Sequence, residues 1–115
     1  MDRYNWDTIP VEELNPLTSR QVVHTDTMTI AQILAKTGTI VPTHHHFNEQ
    51  VTMVKTGKVR FMLDGQPVEM QAGDVIRVPS DVPHGLEALE DSTLTELFSP
   101  RREDWIRGDD AYLRR

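Results

Sequence analysis

Three consecutive histidines, His44, His45 and His46, lie six residues and fewer ahead of Glu49 and Gln50, and a further histidine, His84, closes the stretch Pro79-Ser80-Asp81-Val82-Pro83-His84. Side chains two apart on a strand share a face, so His44 and His46 project together and His45 points away. Pro42 precedes them in a segment that leads into a strand, which removes a helical pair at i and i+4. A metal ion needs several donors converging at about 2 Å, and a same-face imidazole pair supplies half of such a site. The remaining donors have to come from neighbouring strands, with Glu49, Gln50 and the Pro-framed His84 in reach of that role. His24 stands alone in Gln21-Val22-Val23-His24-Thr25 and reads as a structural or exposed residue.

The elements that must position these donors are strands. Residues 28–35, 51–55, 58–63, 67–70, 74–78 and 93–98 read as short runs, mostly of period two. Tight turns separate them at Lys55-Thr56-Gly57-Lys58, Leu63-Asp64-Gly65-Gln66, Gln71-Ala72-Gly73-Asp74 and Pro79-Ser80-Asp81. Many short strands at close spacing predict an all-β sandwich or barrel. One short helix is expected after residue 98, with Ser99 as N-cap, Pro100 at the first helical position, Glu103 and Asp104 at the positive end, and Trp105 and Ile106 pinning it to the strands. In residues 1–17, Pro10 and Pro16 break regular structure while Trp6, Ile9, Val11 and Leu14 suggest a docked arm, with the main domain over 18–115. Met28, Met53, Met62 and Met70 fall on strands and read as core or interface filling.

Bulk composition narrows the function classes. A chain of 115 residues suits one domain. Without cysteine there are no disulfides and no thiolate metal sites, a pattern that fits a cytoplasmic protein. The net charge of −6 with no basic stripe argues against nucleic acid as partner. No apolar stretch approaches a membrane span, and the start of the chain lacks the features of a signal peptide.

The segments 38–57 and 73–84 resemble the two motifs of the cupin superfamily, G-x5-H-x-H-x3-E-x6-G and G-x5-P-x-G-x2-H-x3-N. Gly38, His44, His46, position 50 and Gly57 fall at the spacings of the first, and Gly73, Pro79 and His84 at those of the second. The resemblance implies a single-domain cupin, a jelly-roll-like antiparallel β-barrel with a short C-terminal helix, holding one divalent transition metal (Fe, Mn, Ni or Zn). The distance to Gly57 selects Gln50 over Glu49 for the fourth ligand slot, so the implied ligands are His44, His46, Gln50 and His84. Position 50 is Gln where the motif has Glu, Asp81 replaces a Gly, and Ala88 replaces an Asn. Four neutral donors leave the full 2+ charge on the ion, a stronger Lewis acid than a carboxylate-ligated centre.

The stretch Glu90 to Trp105 is similar to the ending of the pectin-degradation cupins of the KdgF type, which also tend to carry Gln in the first motif. That resemblance implies an enzyme that opens cyclic 4,5-unsaturated uronates to the linear keto sugar. By position Phe98 and Arg102 match the group's aromatic and arginine, and Glu96 stands where the group usually has Asp. Leu94, Glu96 and Phe98 share one strand face. If that face is inward, Glu96 is a candidate acid or base and Arg102 a bidentate grip for a substrate carboxylate, with Phe98 and an inward Gln32 contacting the substrate. The rivals are a cupin dioxygenase cleaving a diketone or flavonol-like ring, another lyase such as a cyanohydrin-forming one, and a non-catalytic sugar- or metabolite-binding module. Family habit and the apolar arm imply a homodimer acting on a small molecule, with an acidic sugar as the expected substrate and no membrane partner.

Overall fold

A computed structural model describes residues 2–114. Among the described residues ten strands run in chain order: β1 (Glu12–Asn15), β2 (Thr18–His24), β3 (Thr29–Ala35), β4 (Ile40–His44), β5 (Glu49–Thr56), β6 (Lys58–Leu63), β7 (Gln66–Gln71), β8 (Val75–Val78), β9 (His84–Ala88) and β10 (Ser92–Ser99). They form a six-stranded sheet in the order β1-β2-β3-β10-β5-β8 and a four-stranded sheet in the order β4-β9-β6-β7, with antiparallel pairing between the neighbours. The sheets face one another as a jelly-roll sandwich, so the expected barrel is not a closed one. Val54, Val59, Phe61, Met70, Val78, Leu86 and Leu94 fill the space between them. Of Met28, Met53, Met62 and Met70, only Met70 is fully buried, and Met28 stands just ahead of β3.

The turns explain why the strands meet in this register. Gly57 takes φ +87° between β5 and β6, and a Cβ there would sit 2.3 Å from the Asp91 carbonyl oxygen. Only glycine meets both demands. Asp81 holds the left-handed conformation at φ 63° that the motif glycine would occupy, a conformation Asp tolerates better than most residues. Its backbone N–H donates to the His46 carbonyl at 2.8 Å, which ties the two histidine segments together.

Several expectations shift. Residues 12–15 form an edge strand on β2, and the carbonyls of Trp6 and Ile9 accept hydrogen bonds from the Gln21 amide, so the N-terminal arm includes a sheet strand. Strands β1, β2, β4 and β9 lack clear apolar alternation, because β2 is buried on both faces over much of its length and β4 is largely exposed. The helix α1 (Glu103–Arg107) begins later than Ser99 and Pro100 suggest: the Ser99-Pro100 peptide is cis, Arg102 takes the N-cap position, and Ser99 ends β10. Asn48 in the β4–β5 loop holds this corner, donating to the carbonyls of Pro100 (2.6 Å) and Arg101 (3.1 Å). Trp105 is buried against Phe98, whereas Ile106 is exposed. Gly108 ends the helix in the left-handed conformation. A 3-10 turn, Ala111–Leu113, then packs beside β4.

Candidate metal centre

His44 is the last residue of β4, His46 lies in the loop beyond it, and His84 opens β9 directly opposite His44 in the ladder. Gln50 enters from β5 in the facing sheet. His44 and His46 thus converge from a strand end and a loop, not from one strand face as their spacing suggests. One ring nitrogen from each of the three histidines lies within 4.8 Å of the others. The Gln50 Oε1 sits 3.1 Å from Nε2 of His46 and 3.1 Å from Nε2 of His84.

Local hydrogen bonds set the chemistry of these nitrogens. Nδ1 of His44 donates to the Pro42 carbonyl (2.7 Å), that of His46 to the Asn48 carbonyl (3.0 Å) and that of His84 to the Val82 carbonyl (2.9 Å). A carbonyl only accepts, so each neutral ring carries its proton on Nδ1 and presents an Nε2 lone pair to the centre. The Gln50 amide is oriented the same way. Its Nε2 donates to Thr52 Oγ1 (2.8 Å) and to Glu96 Oε2 (2.9 Å), while Thr52 Oγ1 donates to the same carboxyl oxygen (2.8 Å). Three imidazole lone pairs and an amide oxygen therefore converge with no hydrogen between them. Such a set repels itself unless a cation lies among its members, and this is the donor set a divalent ion takes.

Burial reinforces that state. Desolvation, the largest influence, lowers the pKa of His44 and of His46 to about 4, with the Arg102 charge adding to it in both. His84 is lowered as well, again by burial first. The rings are neutral and ready for a metal at ordinary pH.

A cavity of about 60 Å³ opens from the donors into the space between the sheets. Glu96 and Phe98 both line it, since β10 register places Glu96 opposite Ala31 and Phe98 opposite Thr29 on the inner face. Burial raises the pKa of Glu96, opposed by the Thr52 hydrogen bond and the Arg102 charge. Phe98 packs its ring against His46 (5.7 Å) and Trp105 (5.1 Å). Arg102 reaches the cavity too, with its guanidinium over the rings of Phe98 (4.8 Å) and Trp105 (4.5 Å).

The bidentate edge of Arg102 is already used. Nε and Nη2 bond the two Asp104 oxygens at 3.0 and 2.8 Å, and Nη2 also donates to the Tyr112 hydroxyl at 2.7 Å. What it can offer a ligand is Nη1, a single point and not a fork. Gln32 does not reach the cavity. The pairing of Gln32 with Thr95 and Gln21 turns it to the outer face, where its amide meets Gln21 and Lys55. The Met28-Ile30-Gln32-Leu34 alternation marks that outer face, while Thr29, Ala31, Ile33 and Ala35 face inward. His45 is two-thirds exposed beside Asp81, and Glu49 pairs with Arg77 on the surface. His24 bonds Thr29 Oγ1, away from the centre. Thr52, Asp104 and Tyr112 are the members of the site that no motif marked. Tyr112 in particular comes from the C-terminal turn, with no spacing to connect it to the histidines.

Two facing antiparallel sheets enclosing a donor set of three histidines and one glutamine define a cupin. A family model described as a cupin domain matches residues 32–99, and the chain belongs to that family. Among solved structures it is similar to KdgF from Halomonas sp., at 28% identity over 90% of this chain and 99% of that one, with a TM-score of 0.85. An RmlC-like cupin from Shewanella frigidimarina matches at 27% identity over 89% of this chain and 93% of that one, TM-score 0.84. Oxalate decarboxylase from Bacillus subtilis, a protein with Mn(II) centres, shares the fold at 17% identity, covering 84% of this chain and 29% of that one with a TM-score of 0.75. No curated protein sequence matches this chain.

Proposed function

We propose that this cupin is a metal-dependent enzyme that opens the ring of an unsaturated uronate or a closely related acidic sugar. The observation that carries the reading is the Glu96 carboxyl, which lines the cavity half-buried and is hydrogen-bonded to the amide that aims Gln50 at the three histidines. His44, His46, Gln50 and His84 would hold a divalent ion, which would supply Lewis acidity toward substrate oxygens, undiminished by an anionic ligand. Arg102 is balanced by Asp104, so an anionic substrate would be attracted chiefly by the charge of such an ion.

Ring opening of a 4,5-unsaturated uronate is an isomerisation. A proton leaves the anomeric hydroxyl, the bond from C1 to the ring oxygen breaks to give an aldehyde, and C4 gains a proton as C5 becomes a ketone. Glu96 suits the proton movement, because desolvation holds its pKa above the usual carboxylate range and so makes its carboxylate a stronger base. Nη1 of Arg102 meets the substrate carboxylate, and Phe98 packs beside His46 as an apolar wall. The match to the Halomonas KdgF structure over nearly its full length supports the reading.

The test follows the ultraviolet absorbance of the conjugated uronate with protein loaded in turn with Fe, Mn, Ni and Zn. Loss of absorbance faster than the spontaneous rate, abolished in Glu96→Gln, is the expected result. No acceleration with any of the four ions removes the reading. A second reading, a dioxygenase for a diketone-like substrate, is favoured by the apolar wall formed by Ile33, Leu86, Leu94 and Leu113. Oxygen uptake with such substrates separates the two.

A further inference from the structure

We propose that Tyr112 is a substrate-contacting residue of this cavity, its hydroxyl donating a hydrogen bond to an oxyanion of the bound ligand. This rests on the reading of the cavity as a metal-dependent site for an acidic substrate. Tyr112 lines the cavity with its ring centre 4.8 Å from that of His44. Its hydroxyl oxygen lies 2.7 Å from Nη2 of Arg102. A guanidinium has no acceptor, so the roles are settled: Arg102 donates and the tyrosine oxygen accepts. The tyrosine's own proton is then directed elsewhere, and among the described residues it meets no protein acceptor. A hydroxyl that accepts from a fixed cation is polarised into a stronger donor. Beside a centre of three imidazoles and an amide oxygen, the partner such a donor fits is a negatively charged or strongly polarised oxygen of the ligand.

The fold holds the segment in place without using that proton. Asp110 is buried against Arg20 and is also bonded by Arg114 at 3.1 Å, and Arg114 reaches Glu12 at 2.6 Å. Asn15 Nδ2 donates to the Leu113 carbonyl at 3.3 Å, which fastens the 3-10 turn to β1. Gly108 caps the preceding helix and turns the chain back toward the site. These contacts flank Tyr112 on both sides, so the ring is carried to the cavity by its neighbours.

The experiment compares wild type with Tyr112→Phe, both loaded with Co(II), whose visible spectrum reports ligands entering the centre. Probes are glycolate, its neutral analogue glycolamide, and D-galacturonate. The variant should keep its Co(II) affinity and thermal midpoint, bind glycolate about 10- to 100-fold more weakly, and lose far less for glycolamide. Equal glycolate affinity in both proteins overturns the proposal. So does a wild type that binds no glycolate, since a donor that lines the cavity beside the histidines must register a small oxyanion. A variant that no longer folds assigns the hydroxyl to structure and also overturns it. Should glycolate behave as expected while galacturonate binds neither protein, the acidic-sugar reading falls and the assignment of Tyr112 stands.

Discussion

Gly85 has no side chain to offer a ligand, yet its lack of a Cβ lets β4 lie close against β9 beside the paired His44 and His84. It follows His84 on β9 and lies under the irregular stretch of β4 that ends at His44. A Cβ at this position would stand 2.8 Å from the Val41 carbonyl oxygen, 3.2 Å from the Thr43 nitrogen and 3.3 Å from the Thr43 Cα. All three are backbone atoms, which no rotamer change can move. In Gly85→Ala, β4 therefore has to retreat by roughly half an ångström to restore ordinary contact distances. A metal centre accepts ligand displacements of only about 0.2 Å. Overpacking of this kind costs about 1–3 kcal/mol. The metal-free variant relieves the strain by letting β4 move out, and binding an ion forces it back. The expected outcome is metal affinity lower by about 10- to 100-fold, at roughly 1.4 kcal/mol for each factor of ten. Competition against a chromophoric chelator measures it, with circular dichroism confirming that both proteins are folded. A folded Gly85→Ala protein with unchanged affinity would refute the argument that the β4–β9 spacing sets the site.

Phe61→Ala removes a ring that is 1% exposed and lies nearly parallel to His84; a loss of about 3–5 kcal/mol in urea unfolding is expected, and one below about 1 kcal/mol would deny it a core role. Acidification should weaken the metal-free protein. His44 and His46 titrate near 6.5 when unfolded and near 4 when folded, so between those values the unfolded chain binds more protons and stability falls as pH drops. His84 acts in the same direction, and Glu96, with its raised pKa, in the opposite one. In Glu96→Gln, which removes the opposing group, a urea midpoint that stays level or rises from pH 7 to pH 5 would contradict the neutral-ring assignment.

The sequence by itself determined the fold class and marked the four residues that the structure brings together at the centre. His44, His46, Gln50 and His84 are spaced by turns whose glycines and Asp81 need particular backbone angles, and such constraints are local enough to be legible in a single chain. Alternation also showed that Leu94, Glu96 and Phe98 share one face of β10, and the structure decided that this face looks into the cavity. Tertiary structure decided what those residues face. Gln32 belongs to a run as apolar as its neighbours, and only pairing with β10 and β2 turns that run outward. Arg102 reads as a free cation until α1 brings Asp104 against its fork. The C-terminal turn shows the limit most plainly. Tyr112 lies 68 positions after His44 in the chain and 4.8 Å from it between ring centres. No local pattern encodes that contact, because it depends on Arg20, Asp110 and Asn15 drawing the end of the chain across the gap between the two sheets.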